Sequence, residues 1–102
     1  MSKLVLITGA SSGLGQALAL HYVRHGYRLA LVARRVEVIK SWLDAQAISP
    51  DSYSIYSADV SDTDSLASMA RDCITRQGVP DVVIANAGIS IGVDSARRED
   101  LD

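Results

Sequence analysis

The chain has 102 residues, enough for one compact domain that removes roughly two-thirds of its unfolded surface from water. Apolar residues make up 48% and charged ones 22%, with a net charge of −2, so the overall charge favours neither a nucleic acid nor an anionic membrane surface. No apolar run approaches the roughly 18 residues of a membrane span, the strand-like run after Met1-Ser2-Lys3 comes too early for a secretory signal, and a single cysteine, Cys73, excludes an internal disulfide, so the chain reads as cytoplasmic.

Four short apolar, β-branched runs alternate with longer stretches of helical period, and no internal repeat or linker interrupts them. This predicts an α/β fold of parallel strands with crossover helices. The first strand, Leu4 to Thr8, runs into Gly9-Ala10-Ser11-Ser12-Gly13-Leu14-Gly15, which puts glycines where a strand turns into a helix. Gly9 can take backbone angles that a Cβ forbids, Gly13 lets the main chain approach a phosphate, and Gly15 lets the helix pack closely on the strand. The helix aims its unpaired N–H groups and positive dipole end at the same point. A dinucleotide pyrophosphate site is the chemical reading; glycine turns in ordinary loops are the plain one, so the weight comes from the motifs that follow. Helix one sets Leu14, Ala17, Leu18 and Tyr22 on its apolar side and stops at Gly26. His21 and His25, four apart on that helix, lack a nearby third ligand and read as a solvated face.

The second strand, Arg28 to Ala33, ends in Arg34-Arg35, nineteen positions beyond Gly15, where an NAD-binding fold usually carries an acid for the ribose 2′-hydroxyl. A guanidinium there pairs with a 2′-phosphate, which favours NADP over NAD. As the mere start of a helix, two cations would oppose the helix dipole. Helix two runs from about Val36 to Ala47, with Val36, Ile39, Trp42 and Leu43 on one side. The third strand, Tyr53 to Ala58, delivers Asp59-Val60, a carboxylate that can accept from an adenine amino group beside an N–H that can donate to the ring; a turn or helix cap is the equal alternative. Helix three opens on Ser61 or Asp62, carries Leu66, Met69, Ala70, Cys73 and Ile74 as its inner stripe, and closes at Gly78 and Pro80. Trp42 and Cys73, both on apolar stripes, read as core.

The fourth strand, Asp81 to Asn86, ends in Asn86-Ala87-Gly88, where Asn can bridge neighbouring backbones and Gly88 permits close approach. Right-handed crossovers give the spatial order 3-2-1-4. The order reverses between strands one and four, and in open α/β sheets a ligand lies beyond the strand ends at such a reversal, here flanked by Gly9 to Gly15 and Asn86 to Gly88.

Taken together, Thr8-Gly9-x-x-x-Gly13-x-Gly15, Arg34-Arg35, Asp59-Val60 and Asn86-Ala87-Gly88 resemble the N-terminal half of the short-chain dehydrogenase/reductase family, whose fold is a Rossmann-type doubly wound parallel sheet. The resemblance implies that Gly9, Ser11, Ser12, Gly13, Leu14 and Gly15 line the pyrophosphate and adenosine ribose of NADP, that Arg34 and Arg35 face the 2′-phosphate, that Asp59 and Val60 face the adenine, and that Asn86, Ala87 and Gly88 form the strand-four wall. It also implies reversible hydride transfer between a nicotinamide and an alcohol or carbonyl, helped by a Tyr acid/base and a Lys four residues on. The residues four beyond Tyr22, Tyr27, Tyr53 and Tyr56 are Gly26, Leu31, Ser57 and Val60, so the pair is absent from these 102 residues and the chain is expected to bind without catalysing.

The last residues, Asp94 to Asp102, look like a capped helix start that breaks off, which suggests a truncated chain of a longer enzyme. Strand four is then an uncovered sheet edge, and self-association through it is expected. Two other readings stay open: a complete non-catalytic nucleotide-binding module, and a structural fragment that keeps the fold but binds nothing well.

Overall fold

The computed structural model describes residues 2–86; Ala87, Gly88 and the helix start expected over residues 94–102 lie outside that range. In chain order the elements are β1 (Leu4–Thr8), α1 (Gly13–Arg24), β2 (Arg28–Ala33), α2 (Val36–Ala45), a 3₁₀ turn (Pro50–Ser52), β3 (Tyr53–Ser57), α3 (Thr63–Arg76) and β4 (Val82–Ile84). The strands form one parallel sheet in the order β3-β2-β1-β4, so the reversal between β1 and β4 is present as the sequence predicts.

Apolar runs without alternation are what a parallel sheet covered on both faces requires. Val5, Ile7, Leu29, Leu31 and Ala33 point to one face and pack with Ala19 of α1 and Ile39 and Leu43 of α2. Their neighbours Leu4, Leu6, Ala30, Val32 and Tyr56 point to the other and pack with Met69 and Cys73 of α3. In the outer strand β4, Val82 and Ile84 join the α1/α2 face, while Val83, opposite Leu6, is 63% exposed.

Helix orientation departs from the expected stripes. Leu18 and Tyr22 of the expected stripe pack against the core, but Leu14 and Ala17 are exposed, and α1 meets the sheet most closely through Gly15 and Ala19, small residues that let the helix axis come close to β1 and β2. On α3 the inward row is Leu66, Met69 and Cys73; Ala70 and Ile74 lie one step round the helix and face out. Trp42 packs against the α1/α2 core and Cys73 is buried, as expected of core residues. Helix α2 stops two residues before Ala47, which itself takes the left-handed conformation at φ 57° while the Gln46 and Ala47 amides bond back to Trp42 and Asp44. Gly26 takes φ 83° after α1, where the chain must turn back into β2.

Candidate functional site

The turn from β1 into α1 is organised around one carbonyl. Gly9 stands at φ 63°, and its oxygen accepts from the Ser12 amide (3.1 Å), the Ser12 hydroxyl (2.9 Å) and Asn86 Nδ2 (3.1 Å). A Cβ on Gly15 would lie within clashing distance of that same oxygen and of Ala10 Cα (2.8 Å), so the third glycine of the motif is required by the corner itself. At Gly13 a Cβ would meet nothing within 4 Å, which leaves the space in front of the main chain open.

Ser12 is the N-cap of α1: its Oγ accepts from the Gly15 amide (3.0 Å) and from Asn86 Nδ2 (2.9 Å) while donating to Gly9 O. Its hydroxyl is therefore engaged within the corner, a role legible from a serine three residues before Gly15 at a helix start but missed in reading it only as a ligand contact. Ser11 differs, since only its carbonyl is held, by Gln16 Nε2 (3.3 Å). The amides of Gly13 and Leu14 find no acceptor among the described residues, the condition of a helix N-terminus that can take an anion. Leu14 stands beside them with its side chain 59% exposed.

Asn86, immediately beyond β4, brings the fourth strand to the glycine corner across 77 residues of sequence through its two donated bonds. The two motifs that flank the reversal thus meet directly. Below them, Thr8 Oγ1 donates to Ile84 O (3.5 Å), tying the ends of β1 and β4.

Arg34 and Arg35 follow β2, both exposed, and Arg35 occupies the N-cap of α2 without making a side-chain cap. Neither forms a salt bridge among the described residues, where the ion pair found joins Arg76 to Asp72. Asp59, one strand over, makes a tight turn: Oδ1 accepts from the Ser61 hydroxyl (2.6 Å) and amide (3.0 Å), and its own amide donates to Ser65 Oγ (3.0 Å). The Ser61 hydroxyl, then the Ser61 amide, and beyond them the charge of Arg34 hold the Asp59 carboxyl below its ordinary value. Asp59 therefore has the turn role that was its alternative reading, while Oδ2 and the Val60 amide have no partner among the described residues. Asp62, rather than Ser61, caps α3, with Oδ1 accepting from Asp64 and Ser65 amides. His21 and His25 lie on the exposed side of α1 with ring centroids 4.4 Å apart and His25 Nδ1 against the His21 carbonyl.

Known proteins are similar to this chain in sequence and fold. The chain is 37% identical over 87 residues to an NADPH-dependent pterin aldehyde reductase of Arabidopsis thaliana, covering 85% of this chain and 36% of that protein. It is 33% identical over 94 residues to a 3-oxoacyl-[acyl-carrier-protein] reductase of Staphylococcus aureus, covering 88% and 37%. It therefore spans about a third of the length of these relatives. Among solved structures, a short-chain dehydrogenase from Streptomyces avermitilis superposes with a TM-score of 0.77 at 38% identity, over 86% of this chain and 31% of that one. An alcohol dehydrogenase from Thermococcus sibiricus complexed with 5-hydroxy-NADP gives 0.70 at 33% identity, over 81% and 36%. The sequence model of the short chain dehydrogenases matches residues 3–102, and with the β1–α1 corner, the strand order and the Asn86 tie already in place, the chain belongs to that family of oxidoreductases.

Proposed function

We propose that this chain is the NADP(H)-binding part of a short-chain oxidoreductase and that it binds the cofactor without itself carrying out the reaction. The family binds nicotinamide dinucleotides, and when bound the nicotinamide gives or takes the hydride exchanged with an alcohol or carbonyl. The observation that carries the reading is the meeting of Asn86 with Gly9 and Ser12, which fixes the mouth of an amide-rich corner at the strand reversal. The free amides of Gly13 and Leu14 suit a pyrophosphate, and the open space before Gly13 gives it room. Arg34 and Arg35, without carboxylate partners among the described residues, suit a 2′-phosphate. Asp59 Oδ2 and the Val60 amide offer an acceptor and a donor to an adenine edge. Ser11, Ala87 and Gly88 belong to the same cleft in this reading.

The preference for NADP rests on the two arginines and is in keeping with the NADPH-dependent relative and the NADP-complexed structure. Titration of the chain should give tighter binding of NADPH than of NADH, and Arg34→Asp should lower the NADPH affinity by at least about tenfold, the scale of a lost charge-assisted contact, while NADH is held or improved. Equal affinity for the two before and after the change overturns the assignment to Arg34.

The Tyr-x-x-x-Lys pair of the family is absent from these residues, so the chain lacks a positioned proton donor for the alkoxide. Within the leading reading the chain works in the cytoplasm and self-associates through β4, whose one strand neighbour among the described residues is β1 and whose Val83 is 63% exposed. Sedimentation should show a dimer that Val83→Lys dissociates; a monomer at high concentration overturns it.

A further inference from the structure

The turn after β3 holds Asp59 more tightly than a helix approach needs. Asp62 already caps α3 through its own carboxylate, so the two bonds from Ser61 to Asp59 are not the cap of that helix. Both converge on one oxygen, Oδ1, from the hydroxyl at 2.6 Å and the amide at 3.0 Å, and the Asp59 amide is pinned from the other side by Ser65 Oγ. A carboxylate held by one oxygen in this way cannot rotate freely, and its second oxygen points where the first does not. Oδ2 has no partner among the described residues, and the Val60 amide beside it has none either.

We propose that Ser61 is a positioning residue for the purine: it fixes the Asp59 carboxylate so that Oδ2 faces the 6-amino group, and thereby makes the chain discriminate adenine from hypoxanthine. This rests on the nucleotide-binding reading above. Ser61 itself touches no part of the nucleotide, and its hydroxyl acts only through Asp59. Adenine presents a donor at position 6 and an acceptor at the adjoining ring nitrogen, which complement Oδ2 and the Val60 amide. Hypoxanthine presents a carbonyl at position 6, which a fixed carboxylate repels and a freely turning one can avoid.

The test compares NADPH with its deaminated analogue, nicotinamide hypoxanthine dinucleotide phosphate, by fluorescence titration of the full chain and of Ser61→Ala and Ser61→Thr. Loss of one aligned hydrogen bond predicts that Ser61→Ala weakens NADPH about fivefold and leaves the hypoxanthine analogue unchanged or bound more tightly. Ser61→Thr, which keeps the hydroxyl, should restore the discrimination. Equal weakening of both nucleotides assigns Ser61 a merely structural role and overturns the proposal, as does no change for either. Failure of the unsubstituted chain to bind either nucleotide overturns the nucleotide-binding reading itself and this proposal with it. A thermal melt of each variant separates these outcomes from a loss of fold.

Discussion

The two ends of the sheet treat their polar groups in opposite ways. At the end where β1 and β2 begin, a set of polar side chains is matched within the protein. Arg28 donates to Ser2 Oγ and to Gln77 O, Gln77 donates to Leu29 O and accepts from the Tyr56 hydroxyl, and Asp81 accepts from the Leu4 amide while its own amide donates to Leu4 O. At the end where the strands finish, two guanidinium groups, the amides of Gly13, Leu14 and Val60, and one carboxylate oxygen of Asp59 have no partner among the described residues. These groups are open to solvent, so water satisfies them in isolation and a ligand can take them up without first breaking a bond within the protein. One end of the sheet is matched by the chain itself; the other leaves groups that, in the proposed function, the nucleotide would take up.

The largest effect should come from the two glycines of the open end that look alike in sequence and differ in structure. Gly15→Ala drives a methyl into the Gly9 carbonyl and Ala10 Cα, both main-chain atoms that cannot swing aside. It should cost about 3 kcal/mol or more and abolish nucleotide binding, because the carbonyl it displaces also anchors Asn86. Gly13→Ala meets nothing within 4 Å, so urea melts should stay within about 1 kcal/mol of the parent, while NADPH affinity drops by more than about tenfold because the methyl fills the space a phosphate needs. If Gly13→Ala binds NADPH as the parent does, the corner is not where the pyrophosphate sits.

A smaller pair of effects separates the two ends of β4, each tied to β1 by one side chain. Asp81→Ala removes the acceptor of the Leu4 amide (2.8 Å) and should cost about 1–2 kcal/mol in a denaturant melt with no change in nucleotide affinity per folded molecule. Asn86→Ala removes bonds to Gly9 O and Ser12 Oγ of similar total worth, about 1–2 kcal/mol, and should in addition weaken NADPH several-fold by loosening the corner. Equal effects on binding from the two changes would erase the distinction between a finished and an open end.

That distinction was only half visible in the sequence. The fold was legible because strands buried on both faces carry unbroken apolar runs, and because Gly9 and Gly15 mark a strand-to-helix corner that few other residue types can make. The strand order followed from crossover handedness taken together with the doubly wound arrangement. The helix faces were less legible: Leu14, Ala17, Ala70 and Ile74 fit an apolar period, yet the axes settle on Gly15, Ala19, Met69 and Cys73, since close approach of helix to sheet favours small or compact residues that a hydrophobicity pattern undervalues. The tie of Ser12 to Asn86 and the roles of Gln77 and Asp81 were missed for a different reason. The partners Asn86, Leu29 and Leu4 lie tens of residues away, and a hydrogen bond of that range leaves no local pattern.

The smallest expected effect is a pH dependence that differs in sign between the ends. At the open end, the Asp59 carboxyl is held below its ordinary value by the Ser61 hydroxyl and amide and by Arg34, so the stability it contributes is present above the unfolded carboxyl value of about 3.9 and is lost as pH falls through the folded value. At the finished end, burial first and the neighbouring Cys73 second push the Tyr56 phenol up, so its contribution is present below the unfolded value of about 10 and disappears as pH rises through the folded one. Urea midpoints measured across pH should therefore show an acid limb that Asp59→Asn flattens and an alkaline limb that Tyr56→Phe flattens, each leaving the other intact. Saturating NADPH should steepen the acid limb alone, because in the proposed function only the Asp59 end would lie beside the nucleotide. A nucleotide effect confined to the alkaline limb would put the ligand at the wrong end of the sheet.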